Sequence, residues 1–235
     1  MTGSAASLRL DIASPFSAPR EVTQVTSLLA SNMRIIAPPR LRKGDVIGII
    51  APSDAIDSRT DIAMSVAFLQ RLGFRAALGR HLFARHTSTM AGTVRERTHD
   101  LHRMFADRRI RAIICAAGGT AGNQLLPQID FGLIARNPKI FIGYSDNSIL
   151  ANAITATTGI ITFHGPHAWM GIRRLPPRAR AQLLQLLTVP KPFGVLPRFT
   201  PWRPLRRGSA IGRLVGGNLS TIGMLLGTPW APRFQ

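Results

Sequence analysis

Ser145 is the residue in this chain best placed for nucleophilic chemistry. It lies in Lys139–Asn152, KIFIGYSDNSILAN, where the apolar run Ile140-Phe141-Ile142 has strand-forming character and Asn147–Thr157 has the pattern of a helix. Gly143-Tyr144-Ser145-Asp146 is the turn between them. A serine at the tip of a strand-turn-helix holds its Oγ at the positive end of the next helix, and the following backbone N–H is available to a developing oxyanion. The competing interpretation is that Ser145 only caps a helix. A second turn, Gly118-Gly119-Thr120, follows the apolar run Ile110–Ala116. Glycines there offer backbone N–H groups where side chains would obstruct, so Gly118-Gly119 and the Asp146 amide could together form an oxyanion hole facing Ser145. Two ordinary tight turns would leave the same trace. A dinucleotide site is weaker still, because AGGTAG lacks the spacing of the Rossmann fingerprint.

These turns need strands and helices to hold them. Lys43-Gly44-Asp45 predicts a turn and Val46–Ile50 a buried strand. A helix capped by Asp57 or Ser58 carries Ile62, Val66 and Leu69 on one face and stops at Gly73. Phe74–Leu78 is expected to be a strand. Thr93-Val94-Arg95-Glu96 matches a capping box opening a helix that ends near Asp107. Ile110–Ala116 is the next strand, with a short helix around Gln124–Leu126, and Ile160–Phe163 is one more strand before His164-Gly165-Pro166. Alternating strands and helices, with strands apolar on both faces, predict an α/β fold with a parallel sheet covered by helices on both sides, Rossmann-like, over residues 34–172. Both glycine-bearing turns then fall on the carboxyl edge of the sheet, where open α/β sheets bind ligands.

Composition excludes several classes. The single cysteine, Cys115, lies in an apolar run and predicts a buried thiol in a reducing compartment, not a disulfide scaffold. No cysteine and histidine cluster has zinc-ligand spacing, so neither metal nor cofactor is expected, and no apolar run is long enough to span a bilayer. The formal charge of +19 invites a nucleic-acid partner, but the excess is scattered arginine, with lysine only at 43, 139 and 191. No basic block interleaved with aromatics argues for such a partner. The last carboxylate side chain is Asp146 and the last histidine is His167.

The ends of the chain differ from its middle. Residues 1–33 are rich in Ser, Ala and Thr without a continuous apolar signal core, and are expected to be a disordered or mis-called extension. Residues 173–208 form a proline- and arginine-rich linker, with Arg178–Leu187 able to be helical. In 209–235, Ile211–Val215 predicts a strand and Asn218–Leu226 a helix, the beginning of a further domain. Ile211, Leu214, Ile222, Leu225 and Leu226 are then expected to lack part of their cover.

PPRLRKGDVIGIIAPS, DLHRMFAD, AIICAAGGTAGNQLLPQIDF, NPKIFIGYSDNSIL, ITFHGP and GRLVGGNLSTIGMLLGTPW, in that order, resemble the LD-carboxypeptidase family of serine peptidases, which includes the microcin-immunity peptidases. The resemblance covers roughly residues 38–232. It implies a cytoplasmic hydrolase that releases terminal D-alanine from peptidoglycan tetrapeptides in wall recycling, with a muropeptide as its partner, a homodimer left open, and no role for nucleic acid or membrane. It places the nucleophile at Ser145, the oxyanion hole at the Gly119 and Asp146 amides, and substrate contacts at Gly118, Thr120 and His164. It also implies a Ser-His-Glu triad whose glutamate and histidine would fall beyond Gln235, as in a C-terminally truncated member with impaired activity. An inactive muropeptide-binding remnant is the alternative from another class. The family turn is usually preceded by arginine and followed by tyrosine, where this chain has Ala117 and Thr120. His164 and His167 are the remaining local candidates for a base.

Overall fold

The computed structural model describes residues 34–169, 171–191, 194–195, 208–209 and 211–232. The expected extension 1–33 and much of the proline-rich stretch lie outside these residues. Five strands, β1 (Val46–Ile50), β2 (Arg75–Leu78), β3 (Ile110–Cys115), β4 (Ile140–Gly143) and β5 (Phe163–His164), form one sheet in the order β2-β1-β3-β4-β5. Every pairing is parallel. Parallel neighbours need crossover connections, and helices supply them: α1 (Arg59–Arg71), α2 (Val94–Ala106), α3 (Phe131–Arg136) and α4 (Ser148–Thr158). Two later helices are α5 (Pro177–Thr188) and α6 (Leu219–Gly223).

Alternation along the strands divides the core into two layers. Ile47, Ile49, Ala112, Ile114, Ile140 and Ile142 pack with Ile62, Phe68 and Leu69 of α1 and Leu187 of α5. On the other face, Ile50, Ile113, Cys115 and Phe141 pack with Leu101, Met104 and Phe105 of α2 and with Ile149, Leu150, Ala153 and Ile154 of α4. Helices therefore cover both faces, as strands apolar on both sides require. Cys115 is fully buried and unpaired, and burial pushes its thiol pKa up, which makes it inert.

Local signals fix the helix ends. Ser58 caps α1 by accepting from the Asp61 amide at 3.0 Å. Thr93 and Glu96 form the reciprocal capping box of α2, with the Thr93 amide donating to Glu96 Oε2 at 2.7 Å and the Glu96 amide to Thr93 Oγ1 at 3.2 Å. At the other end of α2, the buried Lys139 ammonium donates to the carbonyls of Met104 at 2.8 Å and Asp107 at 2.5 Å, and burial lowers its pKa to about 8. A cation on the last carbonyls of a helix complements its dipole.

Three elements differ from the sequence expectation. Gly122–Gln128 is a 3-10 helix containing Pro127, not a short α-helix. The last strand is Phe163–His164, while Ile160 makes an isolated parallel bridge to Ile36. Residues 211–216 carry no regular structure where a strand was expected. Ile211, Leu214 and Leu226 are exposed, but Leu225 is fully buried in the layer that contains α4. Leu225 therefore finds its cover on the α/β unit. No helix among the described residues is long and apolar enough to cross a membrane.

Phe105 is fully buried and stacks on Phe141 at a centroid distance of 6.3 Å. Phe105→Ala is expected to cost about 3–5 kcal/mol, against about 1 kcal/mol for Thr93→Ala, which removes only the cap. Urea unfolding of the two variants measures both.

Candidate active site

The strand order reverses direction between β1 and β3, and a cleft of about 580 Å³ opens at the carboxyl ends of the strands. This is the place where doubly wound sheets leave room for a ligand. Asp54 and Ala55 follow β1, Ala117 and Gly118 follow β3, and Tyr144 and Ser145 follow β4, all on the cleft wall. His167 and Trp169 add the segment after β5, with Arg85 and Arg174 at the periphery.

Ser145 has φ of +57°, the only positive φ outside glycine among the described residues. It opens the short 3-10 turn Ser145–Asn147 that leads into α4. A left-handed serine costs about 1–2 kcal/mol and persists only where its surroundings enforce it. Here they do. Asp146 is 2% exposed, and its Oδ2 accepts from Ser53 Oγ at 2.5 Å and from the Gly122 amide at 2.7 Å. Asn147, fully buried, donates from Nδ2 to the Ala117 carbonyl at 2.7 Å. Both neighbours of the tip are thus tied to the glycine turn.

The glycine turn approaches Ser145 so closely that a side chain on Gly118 would crowd it. A Cβ on Gly118 would stand 3.0 Å from Ser145 Cβ, 3.1 Å from Ser145 Oγ and 3.1 Å from His167 Cε1. Gly119 has φ of +149°, and a Cβ there would run into the Asp54 carboxylate and Ser53 Oγ. The Gly119 amide makes no hydrogen bond among the described residues and is free to donate. Its neighbours are held: the Thr120 amide donates to Asp54 Oδ1 at 3.3 Å and the Ala121 amide to Ser53 Oγ at 3.2 Å. Backbone N–H groups fixed in this way need no reorganisation when negative charge develops beside them.

Charge beneath the turns is balanced by Arg97, which is 2% exposed. It donates to the carbonyls of Pro52 at 2.8 Å and Ala121 at 2.9 Å, and to Gln124 Oε1 at 2.6 Å. Burial lowers its pKa, and the nearby Asp146 and Asp54 carboxylates oppose that shift. Burial raises the pKa of Asp54, and the neighbouring Asp146 charge adds to the effect.

The sequence candidates separate on this wall. Gly118 and Ser145 line the cleft, and Gly119 and Asp146 lie in the turns that border it. Thr120 and His164 are exposed and lie off the cleft lining. His164 instead meets Ser148 Oγ at 3.3 Å through Nδ1. His167 does face the cleft, but its Nε2 lies 2.9 Å from the Tyr144 carbonyl and 3.0 Å from Asn147 Nδ2. Its ring stacks on Tyr144 with centroids 4.1 Å apart. Among the described residues, no histidine is hydrogen-bonded to Ser145 Oγ. Asp54, Asp57, Arg85, Trp169 and Arg174 were not singled out by sequence, since nothing in their local pattern marks them as neighbours of Ser145.

The sheet that carries this cleft has known relatives. The LD-carboxypeptidase N-terminal domain model matches residues 47–165. The chain belongs to the LD-carboxypeptidase family. It is 40% identical over 195 residues to a probable murein peptide carboxypeptidase of Bacillus subtilis (strain 168), a match covering 82% of this chain and 60% of that protein. It is 31% identical over 235 residues to the microcin C7 self-immunity protein MccF of Escherichia coli, covering 87% of this chain and 67% of that one. Among solved structures, an MccF-like protein from Bacillus anthracis str. Ames superposes with a TM-score of 0.78 at 33% identity, over 85% of this chain and 67% of that chain. The chain thus spans about 60 to 67% of the length of these relatives.

Two measurements probe the turn. Ser145→Gly is expected to be more stable than Ser145→Ala by about 1 kcal/mol, because glycine accepts the left-handed φ that alanine resists. Thermal unfolding compares them. His167 is 7% exposed, and its burial lowers its pKa from 6.5 to about 4. Below pH 6.5 the unfolded chain takes up a proton that the folded chain does not, so this contribution to stability is complete above 6.5 and is lost as pH falls towards about 4. The loss is on the order of 3 kcal/mol. His167→Gln should lack this part of the acid limb when urea midpoints are measured from pH 7 to 4.

Proposed function

We propose that this chain carries the nucleophile side of a serine LD-carboxypeptidase site acting on murein peptides. The supporting observation is Ser145 held at φ of +57° against Gly118, with the unbonded Gly119 amide beside it. Ser145 Oγ attacks the terminal amide carbonyl, the Gly119 and Asp146 amides receive the oxyanion, and the terminal D-alanine leaves as an acyl-enzyme forms, which water then hydrolyses. Gly118 makes room for the substrate, whereas Thr120 and His164 lie off the cleft lining and take no part in this reading. The role proposed is cytoplasmic wall recycling. In the sequence no carboxylate side chain follows Asp146 and no histidine follows His167. Similarity to the microcin C7 self-immunity protein favours one second reading, in which the same serine cleaves an aminoacyl-nucleotide analogue.

The purified chain is tested with a murein tetrapeptide and an aminoacyl sulfamoyl nucleotide, with terminal release followed by mass spectrometry. A serine-directed fluorophosphonate is expected to label Ser145 and to leave Ser145→Ala unlabelled. Ser145→Ala should lower tetrapeptide cleavage by roughly three orders of magnitude if a base is supplied, and by less if the oxyanion amides act alone. Cleavage unchanged by Ser145→Ala would overturn the assignment.

A further inference from the structure

The loop after β2 and the helix α2 bring together three side chains that the proposed peptidase chemistry does not use. Asp100, on α2, is 3% exposed in its side chain and points its carboxylate at His81, whose amide donates to Asp100 Oδ2 at 2.8 Å. Asp100 Oδ1 lies 3.0 Å from His81 Nδ1 and 3.6 Å from His99 Nδ1. The three ligand atoms all fall within 4.8 Å of one another. The imidazole rings meet edge to face at a centroid distance of 5.3 Å.

We infer that His81 Nδ1, His99 Nδ1 and Asp100 Oδ1 form a divalent transition-metal site of the zinc class. Metal–ligand bonds of about 2.0–2.1 Å in a tetrahedral site set its ligand atoms about 3.3 Å apart. The two measured separations to Asp100 Oδ1 lie on either side of that edge. The remaining His–His gap closes by rotation of His99, whose side chain is 52% exposed and free to turn. Imidazole nitrogens with one carboxylate oxygen suit zinc and its neighbours, whereas calcium and magnesium prefer all-oxygen shells. Asp100 is held for the purpose, because its second oxygen stays on the His81 amide and fixes the carboxylate as a single-oxygen ligand. The fourth position opens to solvent beside the partly exposed His81 and His99 and takes a water.

Binding replaces the His81 Nδ1–Asp100 Oδ1 hydrogen bond with metal bonds to both atoms. The site clips the start of the 80–92 loop to α2. The same loop contributes Arg85, Ser88 and Thr89 to the cleft wall beside Ser145. A metal here therefore acts on the cleft as a structural clasp, at a distance from the reacting atoms.

The test is titration calorimetry of zinc chloride into the full chain, stripped of metal with chelator and dialysed, alongside thermal unfolding with and without zinc. One equivalent is expected to bind and to raise Tm. His99→Ala removes an exposed ligand, and far-UV circular dichroism verifies its fold. This variant should bind at least tenfold more weakly and lose the Tm shift, while His86→Ala keeps both. Absence of binding, binding unchanged in His99→Ala, or loss of binding in His86→Ala as large as in His99→Ala would overturn the inference and leave His81 and Asp100 as a hydrogen-bonded pair.

Discussion

The Asp146 carboxylate ties together the ends of three strands, β1, β3 and β4. It accepts from Ser53 after β1 and from Gly122 after β3, while its own backbone follows Ser145 after β4. A buried carboxylate is costly unless it is hydrogen-bonded and its charge is balanced, and both conditions hold here through these donors and the buried Arg97. Arg97 in turn spends its donors on the Pro52 and Ala121 carbonyls and on Gln124, so the cation braces the same loops that the anion ties. The turns that end the cleft walls are held by these two buried groups together.

Strain and rigidity divide along the chain. The sheet interior is apolar on both faces and sits in close-packed layers, with β1, β3 and β4 among its most buried segments. At the carboxyl edge, Ser145 is held in a left-handed conformation and Gly119 at φ of +149°. A stiff sheet and a network of buried hydrogen bonds hold these local costs in place. In the proposed reaction such a serine needs little motion to reach its substrate.

Membership of the LD-carboxypeptidase family rests on the match over residues 47–165, which is the part of the chain that builds the sheet and the cleft. His167 stacks on Tyr144, and its Nε2 donates to the Tyr144 carbonyl, which braces the nucleophile turn. Arg85 is occupied by Asp57 and the Ser88 carbonyl. Arg174 is exposed on the cleft rim, with no salt-bridge partner among the described residues.

Much of this was legible in the residues. Val46–Ile50, Ile110–Cys115 and Ile140–Gly143 announced buried strands because parallel strands covered on both faces must be apolar throughout. Thr93 and Glu96 announced the start of α2 because a capping box is a local hydrogen-bond pattern. Ser145 and Gly118-Gly119 stood out because a serine between strand and helix and a glycine pair after a strand are local patterns too. What sequence could not supply was anything made by long-range closure. Leu225 found cover on the α4 layer although its neighbours looked stranded. His164 turned to Ser148 and away from the cleft, while His167, three residues on, turned in beneath Tyr144. Asp146 announced only a turn residue, and Ser53 is 93 residues from it in the chain, so the buried bond between them comes from packing alone. His81 and His99 come from two elements, so no spacing rule joins them. Strand periodicity is written locally, but which side chains meet at the edge of a sheet is decided by how the loops close over it.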